Sequence, residues 1–123
     1  MNTESVAKRL VELCRAGQFE AAQRELYAQD AESIEPEGAP PGALGNVKGL
    51  DAIIKKGEAF QEGVEEMHGV EVSDAVVAGN WFSLSMSMDV TMKGHGRMTM
   101  AEICLYHVKN GKVAREQFFY DME

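Results

Sequence analysis

Between Trp81 and Met92 every second residue is apolar (Phe82, Leu84, Met86, Met88, Val90 and Met92), and Ser83, Ser85, Ser87, Asp89 and Thr91 stand between them. A period of two over this length predicts a strand whose two faces meet different environments. Met98 to Val108 predicts its partner across a glycine-bearing turn at Lys93 to Gly96. Asn110-Gly111 is a strong hairpin signal, and Val113 to Tyr120 then forms a last strand. With Met67 to Ala78 this gives four long antiparallel strands in the second half of the chain.

The first half carries the other period. Val6, Ala7, Leu10, Val11, Leu13 and Cys14 recur at intervals of three and four, predicting a helix from Thr3 to Ala16, capped by Thr3 and ended by Gly17. Phe19, Ala22 and Leu26 continue that period to Tyr27, so two short antiparallel helices form a hairpin. Ala31 to Pro36 is too short for a helix, and Pro36 pushes Glu35 toward extended geometry, so a short edge strand is expected there. Gly38, Pro40, Pro41, Gly42 and Gly45 mark a loop too brief to link domains. A third helix follows from Leu50 to Val64, with Ile53, Ile54, Phe60 and Val64 on its apolar side and Asp51 in its first turn. The expected class is α+β, with helices laid on one face of a bent sheet.

At 123 residues, 45% hydrophobic and 26% charged, the chain has the size and composition of one folded domain, residues 1–123. Twelve basic against twenty acidic residues give a net charge of -8, which disfavours nucleic acid and anionic membrane surfaces as partners. Cys14 and Cys104 lie far apart in apolar segments, as buried thiols of a reducing compartment would, and no leader or membrane-length apolar run is present, so a cytoplasmic location is expected. His68, His95 and His107 sit on separate elements without ligand spacing, and there is no phosphate-cradling loop, dinucleotide fingerprint or nucleophile elbow. Neither a metal nor a cofactor is expected.

Two short helices, Tyr27-Ala28-Gln29-Asp30-Ala31 leading through Ile34-Glu35-Pro36, Gly49 before the third helix, and Asn110-Gly111-Lys112-Val113 with Phe118-Phe119-Tyr120-Asp121 together resemble the nuclear transport factor 2-like superfamily, in its SnoaL-like and ketosteroid-isomerase-like branch. The resemblance spans nearly the whole chain. It implies three N-terminal helices packed on a strongly curved, mainly antiparallel sheet, together forming a cone with an apolar pocket at its open end. It also implies a homodimer through the convex face, to which His107 and the Ser83, Ser85, Ser87 and Trp81 stripe would belong. The isomerase base corresponds to Glu35, before Pro36. The isomerase tyrosine falls on Leu10, which donates nothing, and its neutral aspartic acid falls on or beside Cys104, with Glu102 two residues earlier on the same side. The aspartate of the SnoaL-type cyclases falls near Phe118.

The family register turns Ala114, Glu116, Phe118 and Tyr120 into the pocket. Glu116 would then join Glu35 and Glu102 around a cavity lined by Leu10, Phe60, Met98, Met100 and Cys104. Period two alone fixes only that Glu116, Phe118 and Tyr120 share a face. Carboxyls in an apolar cavity titrate upward, so one can act as base and another as acid. The expected chemistry is proton abstraction beside a carbonyl by Glu35, with Glu102, Glu116 or Tyr120 hydrogen bonding to the oxyanion. The competing readings are a wet strand end for Glu35, cross-strand ion pairs for Glu102 and Glu116, and core aromatics at Phe118 and Tyr120. Meanwhile Met86, Met88, Met92, Met98 and Met100 suit an adaptable pocket, a core or a dimer seam. The expected ligand is a small apolar molecule. A noncatalytic binding module or a dimerisation domain is the alternative, and a buried Glu35 beside another polar group is what favours catalysis.

Overall fold

The structure, a computed structural model, describes residues 1–37 and 45–121. The elements run α1 (Thr3–Arg15), α2 (Phe19–Leu26), β1 (Tyr27–Ile34), β2 (Val47–Lys48), α3 (Leu50–Gly63), β3 (Val64–Val72), β4 (Val76–Ala78), β5 (Trp81–Met92), β6 (Gly96–Lys109) and β7 (Lys112–Phe119). The class is α+β. Only two helices precede the first strand, and the third follows β2. The cap of α1 is Asn2, not Thr3: its side chain accepts from the Ser5 N–H at 2.8 Å, satisfying one orphan donor of the first turn.

The strands form one open sheet in the order β2-β1-β7-β6-β5-β3, with β4 also on β5. It is mixed, because β1 pairs parallel with β7 while the other pairs are antiparallel. Three expectations change here. β1 is not a short edge strand: it spans eight residues between β2 and β7, and Tyr27, read as the end of a helix, is its first residue. The segment Met67 to Ala78 is two strands, separated at residues 73–75. Of the glycine- and proline-marked loop, Gly38, Pro40, Pro41 and Gly42 lie outside the described residues.

The β5 and β6 ladder runs in register from Trp81↔His107 to Met92↔Gly96, and Asn110 and Gly111, at φ 53° and 76°, make the two-residue turn into β7. Both turn positions need φ above zero, which Asn and Gly tolerate best. On the helix-covered face Phe82 and Leu84 are buried, and Phe82 stacks on Tyr106 with ring centroids 4.7 Å apart. Leu10, Leu26 and Ile53 close over them from the three helices. Each such side chain contributes about 1.5–3 kcal/mol on burial. The Gly49 N–H donates to Ala31 O at 2.7 Å, so α3 starts against β1. Beyond Ile103, β6 has no β7 partner among the described residues, and Gly96–Glu102 leave one edge unpaired. No helix among the described residues is long and apolar enough to cross a membrane.

Candidate functional site

Glu35 leaves the end of β1 with its backbone N–H donating to Asn46 Oδ1 at 2.7 Å. It is only 8% exposed, which ends the wet-strand-end reading. Lys56 on α3 lies three residues after Ile53 and four before Phe60, on the helix face turned to the sheet. Its ammonium donates to Glu35 Oε2 at 2.7 Å, Ser33 Oγ at 2.8 Å and Gly45 O at 3.2 Å, and lies 5.6 Å from the centre of the Phe118 ring. The Tyr120 hydroxyl donates to Glu35 Oε1 at 2.5 Å. Both oxygens of the carboxylate are thereby oriented, and the ion pair is nearly dry.

Glu116 sits deeper, 3% exposed, and accepts from the Tyr27 hydroxyl. It faces no cation within ion-pair distance among the described residues, so the cross-strand pair expected as the bland alternative does not form. Burial pushes its carboxyl up, while Tyr27 and Ser33, by hydrogen bonding, and the Lys56 charge pull it back. Burial and the Glu116 charge push the Tyr27 phenol well up, and burial pushes Tyr106 and Cys104 up and Cys14 to about 12, so the surrounding hydroxyls and thiols keep their protons. Glu116 belongs to a β7 stretch whose phase changes at a bulge: Val113 pairs with Val108 and Arg115 with His107, leaving Ala114 the extra residue. Val113, not Ala114, is therefore buried, and Ala114 does not reach the cavity.

Glu102, opposite Met86 on the unpaired stretch of β6, has one hydrogen bond, from the Cys104 thiol at 3.5 Å. Burial raises its carboxyl to about 7, and the charges of Glu35 and Glu116 add to the rise. The Cys104 hydrogen bond and the more distant Lys56 charge oppose that rise, and among the described residues no cation lies within ion-pair distance of it.

All three carboxyls line one depression of about 1850 Å³ between the helices and the sheet. Leu10, Phe60, Met98, Met100, Phe118 and Tyr120 are also on its wall, together with Met67, Met86 and Met88. Cys104 is not: it is fully buried behind the wall, with its thiol turned to Glu102. Lys56, Ser33 and Tyr27 were not anticipated. For Lys56 a signal exists in its spacing from Ile53 and Phe60, which puts a lysine in the middle of an apolar stripe. Among the described residues no group of three His, Cys, Asp or Glu side chains could hold a metal ion. The chemistry at hand is a cation-paired carboxylate, a phenol and a carboxyl that changes protonation near pH 7, all on a largely apolar wall.

A family model described as SnoaL-like domain matches residues 1–120. Among solved structures, the chain is similar to a candidate SnoaL-like polyketide cyclase from Mesorhizobium loti, at 36% identity over 98% of this chain and 100% of that one, with a TM-score of 0.89. An NTF2-like protein of unknown function from Burkholderia pseudomallei shares 17% identity over 98% and 92% of the two chains, with a TM-score of 0.80. TerC, co-crystallised with polyporic acid, shares 17% over 97% and 91%, with a TM-score of 0.77. At these lower identities the likeness is one of fold. No curated protein matches the chain.

Proposed function

The chain belongs to the SnoaL-like domain family, and on that premise we propose that it binds a small apolar molecule in a cone-shaped cavity and moves a proton beside a carbonyl group there. The observation that carries this reading is Glu35: a buried carboxylate on the cavity wall, oriented on one oxygen by Lys56 and on the other by Tyr120. A base held in one orientation without being wetted is what abstraction of a weakly acidic C–H proton needs. Glu35 takes the proton and becomes neutral, and the charge moves to the carbonyl oxygen. Glu102, protonated, donates to that oxygen and holds the enol form until the proton returns at another carbon. Tyr120 is the second donor, shared between Glu35 and the oxyanion. Glu116 accepts from the Tyr27 hydroxyl and completes the wall without touching the reacting atoms.

The fold relative co-crystallised with polyporic acid and the relative considered a polyketide cyclase both support a ligand with ring carbonyls or hydroxyls. The sheet face away from the helices exposes Trp81, Ile103 and Phe119, with His107 stacked on Trp81 at 4.3 Å, and we place a homodimer contact there. Sedimentation of Ile103→Asp against the parent chain tests that contact, a shift from dimer to monomer being the expected result.

The catalytic reading is tested by screening enolisable ketones for deuterium exchange or isomerisation. Glu35→Gln is expected to lose about 10²–10⁴-fold in turnover of any accepted compound. Unchanged turnover removes Glu35 as the base. Tight binding with no turnover of any compound leaves a noncatalytic binding module.

A further inference from the structure

The charge of the cavity wall identifies the ligand more closely than its apolar lining does. Besides Glu35, Glu102 and Glu116, the wall carries Glu20, Glu58, Glu62 and Asp121, whereas Lys56 is the only basic residue on it among those described. Lys56 is also committed. An ammonium has three protons, and these go to Glu35, Ser33 and the Gly45 carbonyl. An incoming carboxylate, phosphate or sulfonate would find no free cation. It would have to break a buried ion pair to make one.

At the mouth, Glu20 is neutralised by Arg24 at 3.1 Å. Glu58, Glu62 and Asp121 are exposed and have no basic partner within ion-pair distance among the described residues. Arg97, on the unpaired stretch of β6, is tied to Asp89 at 2.8 Å and does not line the cavity. Three exposed carboxylates without a basic partner among the described residues therefore stand on the solvent-facing part of a wall that also carries methionine side chains. Each exposed charge is worth little alone, but together they set one sign of potential over an opening with low-dielectric walls.

From this wall, and resting on the cavity reading of the preceding subsection, we infer that the ligand is a lipophilic cation: an apolar skeleton bearing one protonated or quaternary nitrogen. The skeleton lies on Met67, Met88, Met98, Met100 and Phe60, with any carbonyl directed to Glu35. The nitrogen stays at the mouth, among Glu58, Glu62 and Asp121. Thioethers are polarizable and adapt to an irregular skeleton, so the inner wall selects bulk and the rim selects charge. The net charge of -8 favours the same sign of ligand at longer range.

The test uses one naphthalene fluorophore made in three forms, with a trimethylammonium, a hydroxyl or a sulfonate at the end of the same short linker. Binding to the full chain is measured by fluorescence at 20 mM and 500 mM NaCl, and again for the triple variant Glu58→Gln/Glu62→Gln/Asp121→Asn. All three sites are exposed, so the variant is expected to fold, and its circular dichroism checks this. At low salt the cation is expected to bind at least tenfold tighter than the neutral form, and the sulfonate weakest. That ratio should fall to about twofold in high salt and in the triple variant. Equal affinity of cationic and neutral forms, tighter binding of the sulfonate, or a ratio that survives in the triple variant overturns the inference and leaves the cavity standing. Binding of none of the three forms sinks the cavity reading and this inference together.

Discussion

Two glutamates on one wall have opposite surroundings. Glu35 is matched by a lysine and a phenol. Glu116 is matched by a tyrosine, with Ser33 beside it on the paired strand and thiols around it. Burial does not separate them, since both are buried. The nature of the partner does. A cation compensates the desolvation of a carboxylate, whereas hydroxyls compensate it only in part and leave the protonated form favoured. One wall thus carries a cation-paired carboxylate and a carboxyl that burial pushes up, with Glu102, raised to about 7, on the same wall.

The strongest way to break the contrast is to remove the cation. Lys56→Met strands Glu35 as a buried, unpaired charge and is expected to cost about 3–5 kcal/mol. Chemical denaturation measures this, and Lys56→Met with Glu35→Leu should recover most of it. If the single variant is as stable as the parent, Lys56 does not hold the mouth together. Next in size, Tyr27→Phe removes one of the two hydroxyls that hydrogen-bond Glu116, Ser33 carrying the other, and should cost about 1–3 kcal/mol. A loss below a few tenths would mean that another donor takes over.

The intermediate case is Glu102. Its carboxyl is raised from 4.5 to about 7 in the folded chain, so between those values the native state holds a proton that the unfolded state has released. Stability is therefore lost as pH rises through that window and is level above it. Melting temperatures at pH 5 and pH 8 should differ less in Glu102→Gln than in the parent, by a few degrees. Some slope remains, because Glu116 shifts in the same sense. The smallest effect is expected outside the cavity. Arg97→Ala breaks a solvated pair with Asp89, and its melting temperature is expected to match that of the parent closely.

The strand β5 was legible because each of its residues faces one environment or the other for its whole length, and period two records this directly. The two N-terminal helices were legible for the same reason at their own period. What the pattern could not show were relations between distant segments. The parallel pairing of β1 with β7 depends on a partner far along the chain, and nothing within Tyr27 to Ile34 names it. The bulge at Ala114 inserts one residue without changing composition, so a phase carried across it placed Ala114 in the pocket, where Val113 is the buried residue instead. At the site, Glu35 stood out because Pro36 follows it, and Glu102 and Glu116 because they occupy strand positions. Lys56 was hidden next to Lys55 in a helix that elsewhere presents charge to water, although its interval from Ile53 and Phe60 marked it. Cys104 was read onto the wall because the resemblance aligns it with the isomerase's aspartic acid, and an alignment gives a position and not a depth.

The seam between the first and last strands has a consequence for synthesis. Tyr27 and Glu116 are 89 residues apart, and Glu35 and Tyr120 are 85 apart, yet each pair meets across or beside that one seam. A chain emerging from the ribosome can form α1, α2 and the β5–β6 hairpin from local contacts, but β1 has only the two-residue β2 beside it until β7 is made. Until then the methionine face lies open and Glu35 lacks its phenol. The interval before β7 arrives is when the nascent protein is most exposed to aggregation.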